Sequence, residues 1–190
     1  MMRLTLVLAA ALTIATTARA EPRPIDTARS TLTVFVYKSG LFSGFADDHI
    51  IRAPIAGGTL SDEGPLSVSI QVKAGTLTVL DPKLSAEKRS EVQTRMLGPE
   101  VLDTPAHPEI TFKSTAIEPA GESKWTVTGE LSIHGQTRPA KFAVERRDGR
   151  YKGLVTLKQR DFGIQPISIA GGTVKVKDEV KVEFDIVAQR

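Results

Sequence analysis

The chain has no cysteine among its 190 residues. That excludes disulfides, thiolate metal sites and a lipid-modified N-terminal cysteine. Aromatics are scarce as well: seven Phe, two Tyr and one Trp. A barrel that spans an outer membrane needs aromatic girdles and an outward apolar band, and so few rings do not supply them. Beyond residue 20, no apolar run approaches the roughly 20 residues that a membrane-crossing helix requires. Catalytic signatures are missing too. There is no H-E-x-x-H pair, no G-x-S-x-G elbow and no phosphate-cradling glycine loop between a strand and a helix.

Charge of one sign is also lacking once the first segment is set aside. Arg3, the apolar stretch from Leu4 to Ile14 and the small-x-small run Ala18-Arg19-Ala20 read together as a cleaved secretory signal over residues 1–20. Arg3 and Arg19 leave with it and no acid does, so 23 basic residues face 22 acidic ones in residues 21–190. A net charge of +1 gives no reason to expect nucleic-acid binding. The expected product is one soluble, secreted domain over residues 21–190 with no stable membrane insertion, held by its core alone.

Strand patterns dominate. Thr31 to Tyr37 is rich in β-branched and aromatic residues. Ser67 to Lys73 alternates, with Val68, Ile70 and Val72 on one face. Trp125, Val127, Leu131 and Ile133 share a face, and so do Val180, Val182, Phe184 and Ile186. Half-buried antiparallel strands have this pattern; parallel sheets show continuous apolar runs instead.

Two tight turns allow a test of register. A two-residue turn at His134-Gly135 sets Leu131 opposite Arg138, Val127 opposite Phe142 and Trp125 opposite Val144. Asp148-Gly149 suits a type I′ turn, which needs φ > 0 at both positions. It sets Val144 opposite Gly153, Phe142 opposite Val155 and Ala140 opposite Leu157. The apolar faces coincide in both cases, and a one-residue slip would turn them to water. A three-strand meander over Trp125 to Leu157 is the expectation.

One helix interrupts the strands, from Ser85 as N-cap to a stop at Gly98-Pro99, with Val92 and Met96 one turn apart for docking. The predicted fold class is all-β: a closed antiparallel barrel of about eight strands with one short helix, an arrangement that also removes edge strands.

Three histidines are the first candidates for chemistry. His49 follows Asp47 and Asp48, a carboxylate–imidazole grouping suited to proton transfer or metal ligation, or else a polar loop leading into a strand. His107 lies between prolines in a stiff connection, and His134 lies at a hairpin tip. Gly57-Gly58 and Gly171-Gly172 read as bends, and Asp161-Phe162-Gly163 lacks every partner that would make it a kinase element. No metal or cofactor is implied.

Binding needs less. A barrel of about eight strands either fills with side chains or holds one small ligand. Its candidate lining is Phe112, Trp125, Val127, Leu131, Phe142, Val144, Phe184 and Ile186, with Asp48 and His49 as candidates for the mouth. The same eight residues would equally serve as a dry core. Burying a methylene contributes about 0.8 kcal/mol. A chain of about ten would reach roughly 8 kcal/mol, near micromolar affinity before ordering costs. Such binding leaves no catalytic-looking motif behind.

Four strings carry a resemblance: Pro108-Glu109-Ile110-Thr111-Phe112 with Ser114, Gly129 through Pro139, Asp161-Phe162-Gly163-Ile164, and Asp178 with Val180. In this order and spacing they are similar to the YceI-like family, from about Ile25-Asp26 to the last strand. The resemblance implies a lipocalin-like barrel, a periplasmic location and an elongated ligand such as a polyisoprenoid, a quinone-like molecule or a fatty amide or acid. It leaves a homodimer open. Family members often carry His-Ser soon after the first Asp, where this chain has Arg29-Ser30. A further family histidine near the end of the first strand is replaced around Tyr37-Lys38. The expected function is a non-catalytic carrier. The alternative is an enzyme or redox accessory acting on an isoprenoid quinone through Asp48 and His49.

Overall fold

The computed structural model describes residues 21–39, 48–169 and 174–189. Residues 1–20, where a secretory signal is expected, Asp47 and Gly171-Gly172 lie outside them. Twelve antiparallel strands form one curled sheet: β1 (Arg23–Pro24), β2 (Thr31–Ser39), β3 (His49–Arg52), β4 (Ile55–Ser61), β5 (Ser67–Lys73), β6 (Thr78–Val79), β7 (Glu109–Gly121), β8 (Lys124–Ile133), β9 (Gln136–Arg147), β10 (Arg150–Lys158), β11 (Ser168–Ile169) and β12 (Val174–Ile186). Helix α1 (Ala86–Leu97) follows β6.

The ring closes through one bent strand. β3 pairs with β2, while β4, only two residues further on, pairs with β5. Ala53 and Pro54 make that bend, and Pro54 has no N–H to offer a ladder. Counting β3 and β4 together, eight strands make the wall: β2, β3/β4, β5, β7, β8, β9, β10 and β12. This is the all-β, lipocalin-like barrel with one helix that the sequence predicts.

Both turns of the meander are as expected. His134 and Gly135 have φ of 50° and 70°, Asp148 and Gly149 of 51° and 73°, the left-handed pair of a type I′ turn. The β8–β9 register matches in every pair, Trp125 opposite Val144 and Val127 opposite Phe142 included. The β9–β10 ladder departs from expectation. It runs from Arg147↔Arg150 only to Val144↔Gly153, so the expected pairs of Phe142 with Val155 and Ala140 with Leu157 do not form. Pro139 sits in the unpaired stretch of β9. In a hairpin with a two-residue turn its missing N–H is the one that would have faced β10.

Each end of the barrel is finished differently. At the end carrying α1, here the lower end, Ile51, Leu77, Val79, Met96, Leu102, Phe162 and Ile164 form a buried cluster. The helix starts as predicted, Ser85 Oγ accepting from the Lys88 N–H at 3.4 Å. Gln93 pins it to the sheet: its Nε2 donates to the Leu77 carbonyl and its Oε1 accepts from the Val79 N–H, both at 2.7 Å. The Arg160-Asp161-Phe162-Gly163 string is a short 3-10 turn that closes β10 and tucks Phe162, only 4% exposed, under the lumen. At the upper end, the β4–β5, β7–β8 and β9–β10 turns gather around a second cluster containing Ile25, Leu60, Val127, Val144, Tyr151 and Ile186. There the backbone of Pro24 to Asp26 bonds to both β4 and residues 187–189.

Candidate functional site

Between the two clusters lies a cavity of about 200 Å³ whose wall is almost entirely carbon. All eight lining candidates from the sequence stand on it: Phe112, Trp125, Val127, Leu131, Phe142, Val144, Phe184 and Ile186. They come from β7, β8, β9 and β12, strands whose alternation aims one face inward. Leu32 and Val34 of β2, Ile70 of β5, and Tyr151 and Val155 of β10 complete the wall. The same two-residue alternation would have found most of these.

Glycines shape the lumen where backbone and ring come closest. Phe112 lies across Gly129, and Phe184 lies across Gly153. A Cβ at Gly129 would overlap the Phe112 ring and the Lys113 carbonyl oxygen; one at Gly153 would overlap the Phe184 ring and the Ala143 carbonyl oxygen. Lacking that carbon, each strand lets its ring lie flat on the wall. Phe142 bridges the two, with ring centroids 5.3 Å from Phe112 and 5.4 Å from Phe184, a favourable aromatic spacing. The row narrows the lumen without closing it.

The polar part of the wall is at the upper end. Asp62, in the β4–β5 turn, accepts from the Tyr151 hydroxyl at 2.6 Å and from Arg23 Nη2 at 2.7 Å. Arg146 stands over the Tyr151 ring, 5.6 Å from its centroid, with Nη2 4.0 Å from Asp62. Burial pushes the Asp62 carboxyl upward, but the bonds from Tyr151 and Arg23 and the Arg23 charge together outweigh it and hold the group below its ordinary range. Burial first, then the Asp62 carboxylate, pushes Tyr151 up to about 12. No sequence signal pointed to this cluster, because its members come from four separate segments.

Asp48 and His49, the mouth candidates, are not on the cavity wall. His49 Nδ1 is hydrogen-bonded to Asp81 Oδ2 at 2.6 Å, and Asp81 Oδ1 accepts from the Ile50 N–H at 2.7 Å. Asp48 Oδ1 instead accepts from the Lys38 N–H. The two neighbours are thus drawn to different partners. His107 and His134 meet edge to face at 4.5 Å, and His134 Nδ1 donates to the Phe162 carbonyl. Among the described residues, no three His, Asp or Glu gather closely enough for a metal.

With this geometry in view, the comparisons are decisive about kinship. Residues 24–188 match the YceI-like domain. The chain belongs to the YceI-like family. A UPF0312 protein of Azotobacter vinelandii is 30% identical over 118 residues, 57% of this chain and 59% of that protein. One from Pseudomonas savastanoi pv. phaseolicola is 42% identical over 74 residues, 34% of this chain and 38% of its own length. The chain thus spans less than two thirds of these relatives.

Solved structures agree on the fold. BcnA of Burkholderia cenocepacia superposes with a TM-score of 0.67 at 20% identity, covering 87% of this chain and 99% of that one. A polyisoprenoid-binding domain from Saccharophagus degradans, implicated in plant cell wall breakdown, gives 0.59 at 14% identity over 89% and 100%.

Proposed function

We propose that this protein is a periplasmic, non-catalytic carrier for a long apolar amphiphile held inside the barrel: a polyisoprenoid, a quinone-like molecule, or a fatty amide or acid. The observation that carries the reading is the cavity itself, a lumen walled by carbon between a sealed lower end and a polar upper end. Its size bounds the occupant. Pockets for drug-sized ligands run to about 300–1,000 Å³, so 200 Å³ favours a slender chain over a bulky ring system. A longer chain extends past the upper rings toward the turns. The periplasmic location rests on the signal-like residues 1–20, and the ligand class on the apolar wall and on the binding domain among its structural relatives.

Native mass spectrometry of the purified protein, followed by organic extraction, tests the reading. A co-purifying long-chain amphiphile is the expected result. A protein whose mass matches the bare chain, and which takes up no alkyl or prenyl probe, would overturn it. The enzymatic alternative through Asp48 and His49 gains nothing from the geometry, since His49 is engaged with Asp81 and neither residue lines the lumen.

A further inference from the structure

At the upper rim, beside the cavity wall and in contact with its Tyr151, stand hydrogen-bond donors that no acceptor among the described residues takes; Arg146 lies just outside the wall, Trp125 on it. Asp62 is the acceptor there, and both its oxygens are taken, one by Tyr151 and the other by Arg23. The Tyr151 hydroxyl is spent on that bond. Arg23 is further engaged by the Gln189 carbonyl at 3.4 Å. Arg146 differs. Its guanidinium has five N–H donors, yet its contacts are the face of the Tyr151 ring and a 4.0 Å approach to Asp62, too long for a hydrogen bond. Trp125, on the cavity wall with its ring 6.1 Å from that of Tyr151, offers an indole N–H that no acceptor among the described residues takes. The two unspent donors flank the tyrosine that ends the apolar wall.

We infer that this corner is the headgroup site, and that the amphiphile it selects carries an anionic oxygen headgroup, a carboxylate or a phosphate, received by Arg146 and Trp125. This rests on the carrier reading and adds to it the polar end of the ligand. Unpartnered donors outnumber the one carboxylate in the corner, which disfavours a cationic headgroup, and a neutral alcohol would engage it only weakly. Among the groups in contact there, Arg23 and Arg146 outnumber Asp62. The Arg146 side chain is 47% exposed at the rim. A headgroup there would remain half in water while its chain runs down the lumen, as an amphiphile requires.

The test compares palmitate, hexadecyl phosphate and hexadecanol, equal in chain and different in head, by calorimetric titration of the full chain below their aggregation concentrations. A charge-assisted hydrogen bond predicts that the intact protein prefers an anion to the alcohol by about tenfold. In Arg146→Gln that ratio collapses toward one, and Arg146→Lys restores part of it. Arg138→Gln, at the opposite end of the barrel, keeps it. Palmitate above the phosphate assigns the corner to fatty acids; the reverse order assigns it to lipid phosphates. An alcohol that binds as well as either anion, or a preference that survives Arg146→Gln, overturns the headgroup assignment and leaves the barrel as a container. Failure of all three probes to bind overturns the container reading and this site with it.

Discussion

Both ends of this barrel have a buried apolar cluster, but they are finished differently. The lower end is a plug: α1 delivers Met96, the segment after it Leu102, and the turn after β10 Phe162 and Ile164, all buried against Ile51, Leu77 and Val79. The upper end adds to its apolar cluster a network in which Asp62 gathers Tyr151, Arg23 and, more loosely, Arg146. Apolar packing is non-directional and densest where nothing moves. A charged network at the surface is directional, wet and cheaper to open. On the proposed carrier reading, the lower end serves stability and the upper end the passage of the ligand.

Breaking the plug should have the largest effect. Phe162→Ala removes a ring that is 4% exposed, and a loss of about 3–5 kcal/mol is expected in denaturant titrations. No upper-end substitution should match it. If Phe162→Ala costs less than Arg23→Ala, the division of labour between the ends is wrong.

Next comes the lumen between them. Gly153→Ala places a carbon where the Phe184 ring and the Ala143 carbonyl already lie. Overpacking of this kind costs roughly 1–3 kcal/mol. The ring also turns into the cavity, so binding of an alkyl probe should weaken more than stability does. Probe affinity equal to that of the unsubstituted chain would show that the ring relaxes outward. His49→Ala supplies the contrast, because it leaves Asp81, 3% exposed, with one hydrogen-bond partner fewer. A buried group so deprived costs about 1–3 kcal/mol, yet probe affinity should hold, since His49 does not line the cavity. Weakened binding in that variant would return His49 to the site.

What the sequence made legible follows the same division. The hairpins could be read because turn residues and two-residue alternation name the same register, and a slip would bury polar groups. The lining could be read for the same reason: Phe142 and Val144, or Phe184 and Ile186, announce their face by spacing. The separation of β9 from β10 could not, because Ala140, Phe142, Val155 and Leu157 still point inward whether or not the ladder joins them. Nor could the upper network. Arg23 and Asp62 are 39 positions apart, and Asp62 and Tyr151 are 89 apart, so only the closed ring brings them together. The sequence can group His49 only with its chain neighbours Asp47 and Asp48, whereas the carboxylate it bonds to in the fold, Asp81, lies 32 positions away.

The mildest substitution sharpens the upper end most. Tyr151→Phe keeps the ring beside Trp125 and under Arg146 but removes the hydroxyl that Asp62 receives. At neutral pH the loss should be about 0.5–1.5 kcal/mol, the smallest effect considered. Its pH dependence has a definite sign. In the folded chain Tyr151 keeps its proton up to about 12, whereas an unfolded tyrosine releases it near 10. Above about pH 10 the unfolded state therefore binds fewer protons than the folded one, and stability falls as pH rises through that window. The informative quantity is the difference between the two proteins: the unsubstituted chain should lose its advantage over Tyr151→Phe between about pH 10 and 12. Asp62 works the other way. Its lowered pKa contributes stability present above the ordinary carboxylate range and lost as pH falls below it. Removing the Tyr151 hydroxyl should therefore blunt the acid loss as well. A difference between the two proteins that stayed constant from acid to alkaline pH would show that the hydroxyl and the carboxylate do not act as a pair, and that the upper end is held by Arg23 alone.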